Sequence, residues 1–302
     1  MLGYDASSAN RSLMPRHRTT ARGILLLILV AATAGAAAAR PPAESDGLRA
    51  KAAPEIVFPV VGRATFSDDF GDPRSQGRHE GNDIMAARRA PAVAAEGGTV
   101  TLWTTSRAAG CMLYLHGDSG TTYLYIHLNN DLGRGNDNRG ECVPGVAYAP
   151  GLKTGDRVEA GEPVGFVGDS GDANGIQPHL HFELHPGGGA AVDPYRALTG
   201  ARRLLFAARQ GTSFTLALSG TAVAAADGTL SLKVGSVRSW PGGRRVAHDG
   251  PLVEVDLGDA AALDPGGVEG RPVTVWTAPA RVTLAAQWGA PGALVAARVV
   301  ER

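Results

Sequence analysis

Four short stretches carry side chains that could do chemistry. They are H-E-G-N-D (His79 to Asp83), Y-I-H-L (Tyr125 to Leu128), G-D-R-V-E-A-G-E-P-V-G (Gly155 to Gly165) and P-H-L-H-F-E (Pro178 to Glu183). Together they supply four histidines, His79, His127, His179 and His181, and the carboxylate of Asp83. Zinc accepts imidazole nitrogen and carboxylate oxygen, and a catalytic site uses three protein ligands with a further position left for water. His79, Asp83 and one of the pair His179/His181 would fill the three positions. His127 and the other member of the pair would remain to accept a proton from water or to donate to a developing oxyanion. Such a metal lowers the pKa of water and polarises a carbonyl, which is what amide hydrolysis needs.

The elements that must position these groups read as β. Residues two apart on a strand share a face, so His179 and His181 point into one space and Leu180 points into a core. Tyr125 is two residues before His127 and is therefore a candidate for the wall of the cleft as well as for simple packing. Gly77 and Gly81 would let the His79 loop fold back so that both of its ligands meet one ion. Glu80 reads as solvent-facing, and His17, His116, His185 and His248 as structural or exposed.

Strand candidates are Thr99 to Thr104, Cys111 to Leu115, Thr121 to Leu128, Val164 to Val167 and His179 to Leu184, with a hairpin turn over His116 to Gly120. Asn129 to Pro150 is polar, Gly/Asn-rich and long for a loop, which points to a functional rim or a mobile segment. Beyond Arg202 six further stretches have strand character: Ser213 to Leu218, Leu230 to Val234, Leu252 to Leu257, Val273 to Trp276, Val282 to Trp288 and Ala293 to Val300. Turns at Asp227-Gly228 and Pro241-Gly242-Gly243 separate some of them, a pattern that suits a small barrel or sandwich.

The bulk numbers agree with this picture. The chain has 302 residues, 41 glycines, 19 prolines and few aromatics, which favours a turn-rich β protein over a helical bundle. Its formal net charge is zero, which removes the usual electrostatic case for nucleic acid as a partner. Arg11, Arg16, Arg18 and Arg22 precede an apolar run from Gly23 to Ala39 that ends in alanines, the form of a secretory signal or, if uncleaved, a membrane anchor. The rest of the chain would then lie outside the cytoplasm, secreted, periplasmic or wall-associated. Cys111 and Cys142 are the only cysteines and allow one disulfide, which would staple the long loop to the sheet.

The motifs resemble those of the lysostaphin-type zinc metallo-endopeptidases, also called LytM-like. The family pattern is H-x-G-x-D, A-A-x-x-G-x-V, Y-x-H-L, G-x-x-V-x-x-G-x-x-I-G and H-L-H-F-E. This chain has H-E-G-N-D, A-A-E-G-G-T-V (Ala94 to Val100), Y-I-H-L, G-D-R-V-E-A-G-E-P-V-G and H-L-H-F-E. The resemblance covers roughly residues 56 to 198. It implies one zinc ion held by His79, Asp83 and His181, with His127 and His179 as catalytic histidines, and peptidoglycan stem or cross-bridge peptides as substrate. Asn82 departs from the family's usual aliphatic residue or Thr, and the 129–150 loop is longer than usual.

The expected protein is mainly β: an antiparallel β-sheet metallopeptidase domain over residues 56–200, then a small C-terminal β-barrel or sandwich over 205–302, preceded by a signal segment (1–39) and a linker (40–55). Its expected activity is that of an exported zinc endopeptidase. A non-hydrolytic wall-binding or regulatory module of the same fold is the first rival, and a zinc endopeptidase of non-wall proteins the second.

Overall fold

The computed structural model describes residues 55–301 apart from 76, 134 and 259–266. The expected signal segment (1–39) and all but the last residue of the expected linker lie outside the described residues.

In chain order the first strands are Ala64–Thr65 (β1), Pro73–Arg74 (β2), Gly77–Arg78 (β3), Asn82–Ala86 (β4), Pro91–Val93 (β5) and Gly98–Trp103 (β6). They continue with Cys111–Gly117 (β7), Thr121–Leu128 (β8), Arg157–Val158 (β9), Pro163–Phe166 (β10) and His179–Pro186 (β11). The main sheet has the order β1-β4-β11-β8-β7-β6-β9, and its pairings are antiparallel. β7 and β8 form the expected hairpin, although His116 and Gly117 belong to the strand and the turn is confined to Asp118, Ser119 and Gly120.

One face of this sheet packs a core of Ile84, Leu113, Leu115, Tyr123, Tyr125, Leu180, Phe182 and Leu184, all at most 1% exposed. Alternation along β11 accounts for this: Leu180, Phe182 and Leu184 point inward, and His179, His181, Glu183 and His185 share the opposite face. Tyr125 belongs to the core and not to the cleft. Its hydroxyl donates to the Val93 carbonyl at 2.9 Å and accepts from the Ala95 amide at 2.8 Å. The period-2 argument fails between Tyr125 and His127 because His127 has φ +60° and the β7–β8 register shifts beside it. This irregularity re-aims the imidazole out of the core, as β-bulges do.

Helix is scarce: Tyr195–Gly200 (α1) and a 3-10 turn at Gly171–Ala173 are the helical segments described up to residue 200. The C-terminal strands are Ser213–Ala226 (β12), Thr229–Trp240 (β13), Arg245–Ala247 (β14), Val253–Asp256 (β15), Pro272–Thr277 (β16), Ala280–Arg281 (β17) and Ala296–Glu301 (β18). The sheet order is β14-β13-β12-β16-β18, with β15 on the other end of β13 and β17 on the start of β12. The arrangement fits a β-sandwich. Its own core includes Leu216, Leu218, Leu232, Val255, Val273 and Val275.

Val282 to Trp288 departs from its strand expectation. Leu284–Trp288 is a short helix (α2). Thr283 caps it, its hydroxyl accepting from the Ala286 amide at 3.1 Å, and Gly289 closes it at φ +72°. A third apolar cluster joins Val57, Val61, Val93 and Leu204 to Val246, Leu284 and Trp288 of the C-terminal part. Gln287 is fully buried and donates to the Gly161 carbonyl at 2.8 Å. Among the described residues no helix is long and apolar enough to cross a membrane.

Candidate metal centre and groove

β4 and β11 are neighbours, and their register places His181 opposite Asp83. His79 reaches the same point through the loop that enters β4. Gly81 makes that approach possible, because a Cβ there would sit 2.5 Å from the Phe182 carbonyl oxygen and 2.9 Å from His181 Nε2. The glycine therefore serves close packing against β11. Gly77, at φ +136°, supplies the backbone freedom in the preceding hairpin.

Three donor atoms converge. His79 Nε2 lies 3.1 Å from Asp83 Oδ1, His79 Nε2 lies 2.9 Å from His181 Nδ1, and His181 Nδ1 lies 3.1 Å from Asp83 Oδ1. A tetrahedral ion with bonds of about 2.0–2.1 Å separates its ligand atoms by about 3.3 Å, so the triangle needs to open only slightly. Two neutral imidazoles and one carboxylate are a donor set that suits zinc.

Each donor is held from behind. His79 Nδ1 donates to the Asp69 carbonyl at 2.8 Å, which turns Nε2 toward the shared point. Asn82 is fully buried and steadies Asp69, donating to its carboxylate at 2.6 Å and to the Ser67 carbonyl at 3.1 Å. The family departure at this position thus has a local use. Arg74 Nη2 donates to Asp83 Oδ2 at 2.9 Å and leaves Oδ1 to face the two imidazoles. Glu183 Oε1 lies 2.9 Å from His181 Nε2, the carboxylate–histidine pairing that fixes a ligand's tautomer and raises its basicity. His185 Nε2 in turn lies 2.6 Å from Glu183 Oε2, so this histidine supports the centre, as the structural reading of it allowed.

The charges follow from these contacts. Burial alone would raise the Asp83 carboxyl, but hydrogen bonds from His181 and His79 and the nearby His179 hold it well below the usual carboxylate range. Burial would push His181 down; the carboxylates of Asp83 and Glu183 on its two nitrogens more than offset this and raise it to about 9. Glu183 is held low despite its burial by His181 and His185. The carboxylates therefore stay anionic around a point that favours positive charge, as a site for a divalent cation requires.

The two remaining histidines flank the same space. His127 Nδ1 donates to the Ser170 carbonyl at 2.8 Å, and His179 Nδ1 to the Gln177 carbonyl at 2.9 Å. These bonds leave Nε2 as the working atom of both rings, whose centroids are 5.0 Å apart. Burial, with His179 close by, pushes His127 down to about 4, so it is neutral at pH 7. All five residues line a groove of about 480 Å³, walled on one side by Arg74 and Arg78 of the β2–β3 hairpin and on the other by Asp172 and Ile176.

Among the described residues, none of the long 129–150 loop lines this groove. Arg88 pairs with the buried carboxylates of Asp131 and Asp169, and the Cys111–Cys142 disulfide joins the loop to the start of β7. The loop is thus pinned beside Ser170 and Gly171, where it borders a separate cavity. Sequence reasoning missed Glu183 as a partner of His181, although both lie on one face of one strand. It also missed Arg74, for which spacing carries no signal. Glu183→Gln is expected to weaken zinc binding by about 10–100-fold while leaving the fold intact, measured by competition with a chromophoric chelator.

Residues 146–194 match the model of peptidase family M23. That stretch contains His179, His181 and Glu183, and the lysostaphin-type resemblance read from the motifs agrees with it. Over 154 residues the chain is 30% identical to the L-Ala--D-Glu endopeptidase of Bacillus subtilis. The aligned part covers 47% of this chain and only 42% of that relative. Among solved structures, the catalytic domain of the antimicrobial peptidase lysostaphin from Staphylococcus simulans is 23% identical, with a TM-score of 0.35, and the match covers 45% of this chain and 92% of that one. A zinc-containing peptidase from Vibrio cholerae is 23% identical with a TM-score of 0.34, covering 48% and 40% respectively.

Proposed function

We propose that the chain is an exported zinc endopeptidase that hydrolyses peptide bonds in peptidoglycan stem peptides or cross-bridges. The convergence of His79 Nε2, Asp83 Oδ1 and His181 Nδ1 in a groove that also holds two imidazoles with Nε2 available carries this reading. The family match and the curated relative support the reaction class. Export rests on the basic and apolar N-terminal pattern.

Zinc held by His79, Asp83 and His181 would supply Lewis acidity toward water and toward the scissile carbonyl. The chain's own residues handle the protons. His127 Nε2, unprotonated at neutral pH, takes the proton of the attacking water and passes it to the departing amine. His179, when it carries a proton on Nε2, donates to the carbonyl oxygen as negative charge develops there. The Ser170 carbonyl holds the His127 ring in the tautomer that leaves Nε2 free to accept, and the Gln177 carbonyl orients the His179 ring. Arg74 and Glu183 keep Asp83 and His181 in place throughout.

The test is release of new amino groups from purified peptidoglycan. Chelation followed by dialysis is expected to stop release, and about one equivalent of zinc to restore it. Hydrolysis at an undiminished rate after complete removal of metal would overturn the mechanism. Absence of any release by the zinc-loaded chain would instead favour a binding or regulatory module.

A further inference from the structure

The outward face of the C-terminal sheet carries a row of residues at one register across five strands. Strand pairing places Arg245 of β14 opposite Arg238 of β13, Arg238 opposite Ala217 of β12, Ala217 opposite Trp276 of β16, and Trp276 opposite Arg298 of β18. With strands about 4.7–4.9 Å apart, the row spans about 19 Å. Alternation fixes its side: Val237, Leu216, Leu218, Val275 and Val299 beside these residues are buried in the sandwich core.

Above the row, Trp240 stacks on Trp276 with ring centroids 5.2 Å apart, and the Arg238 guanidinium lies 5.3 Å from the Trp240 ring. Trp276 remains 40% exposed and all three arginines are exposed. The adjoining row on this face is Ala247, Ser236, Ser219, Thr274 and Val300, and it carries no charge.

Two features need a reason. Like charges directly opposite on neighbouring strands destabilise a sheet, and Arg238 faces Arg245. Among the described residues none of the three arginines takes part in an ion pair, although the chain as a whole is neutral. A cationic row around an exposed indole pair is complementary to a polymer with anionic groups at intervals and flat apolar ring faces between them. A single small anion would leave most of a row this long unused.

We propose that this face docks peptidoglycan, with the sugar rings of its glycan strand against Trp276 and Trp240 and free carboxylates of its stem peptides on Arg238, Arg245 and Arg298. The proposal shares its polymer with the peptidase reading, but binding here requires neither metal nor catalysis.

The experiment is co-sedimentation of the full chain with purified peptidoglycan sacculi in the presence of chelator, so that hydrolysis does not intervene. Arg298→Glu and Trp276→Ala are compared with wild type, and melting curves verify folding. Affinity is expected to fall by about tenfold in Arg298→Glu and in wild type at raised salt. Cleavage of a short soluble peptide by the zinc-loaded variants is expected to be unchanged. Sedimentation of folded Arg298→Glu at the wild-type level overturns the proposal. So does an effect of the variant on binding to DNA or to anionic vesicles without one on sacculi. If wild type sediments in this face-dependent way but cleaves no peptide, the docking face stands and the peptidase reading falls.

Discussion

Alanine at His79 is expected to lower zinc affinity by about three orders of magnitude and hydrolysis to background. The reasoning is direct. A protein-bound zinc ion has a binding free energy on the order of 10 kcal/mol or more, and one of three protein ligands contributes roughly a third of it. His79 Nε2 lies 3.1 and 2.9 Å from the other two donors, so its loss removes one corner of the triangle. The two that remain are cross-strand partners and stay in place, so the variant folds. Equilibrium dialysis gives the affinity, and amine release from peptidoglycan gives the activity. A His79→Ala chain that keeps both would show that the ion sits elsewhere.

His127→Ala separates proton transfer from metal binding. A positioned general base contributes typically about 10²–10⁴-fold, so kcat is expected to fall by that factor with zinc content unchanged and KM little altered. The ring meets the conditions for a base: Nδ1 is committed to the Ser170 carbonyl at 2.8 Å, and burial keeps the ring neutral at pH 7. Steady-state kinetics with a zinc assay on the same sample reads both quantities. Zinc lost together with activity would make His127 a ligand and displace it from the role of base.

The candidate centre was legible in the sequence because its parts obey strand geometry. His179 and His181 share a face through period-2 alternation, and His181 meets Asp83 by register between adjacent antiparallel strands. Glu183 follows the same alternation and was equally legible. Alternation left Tyr125 open between cleft wall and packing; the left-handed backbone at His127 breaks the alternation at that one residue, and packing is what the fold adopts. The Val282 to Trp288 segment looked like a strand from its apolar ends, but the cap at Thr283 and the left-handed Gly289 decide for helix. The 129–150 loop gave no spacing from which to place it. Its position follows from the pairing of Arg88 with two buried carboxylates and from the disulfide, and the first of these contacts has no local pattern. Arg74 reaches Asp83 from a two-strand hairpin whose orientation only the folded chain defines.

Titration of the purified chain with zinc against a competing chelator addresses the foundation of the account most directly. One equivalent bound tightly by wild type, and lost on alanine substitution of His79, Asp83 or His181 in turn, is the expected result. Failure of the wild-type chain to take up the ion, or uptake indifferent to all three substitutions, would contradict it.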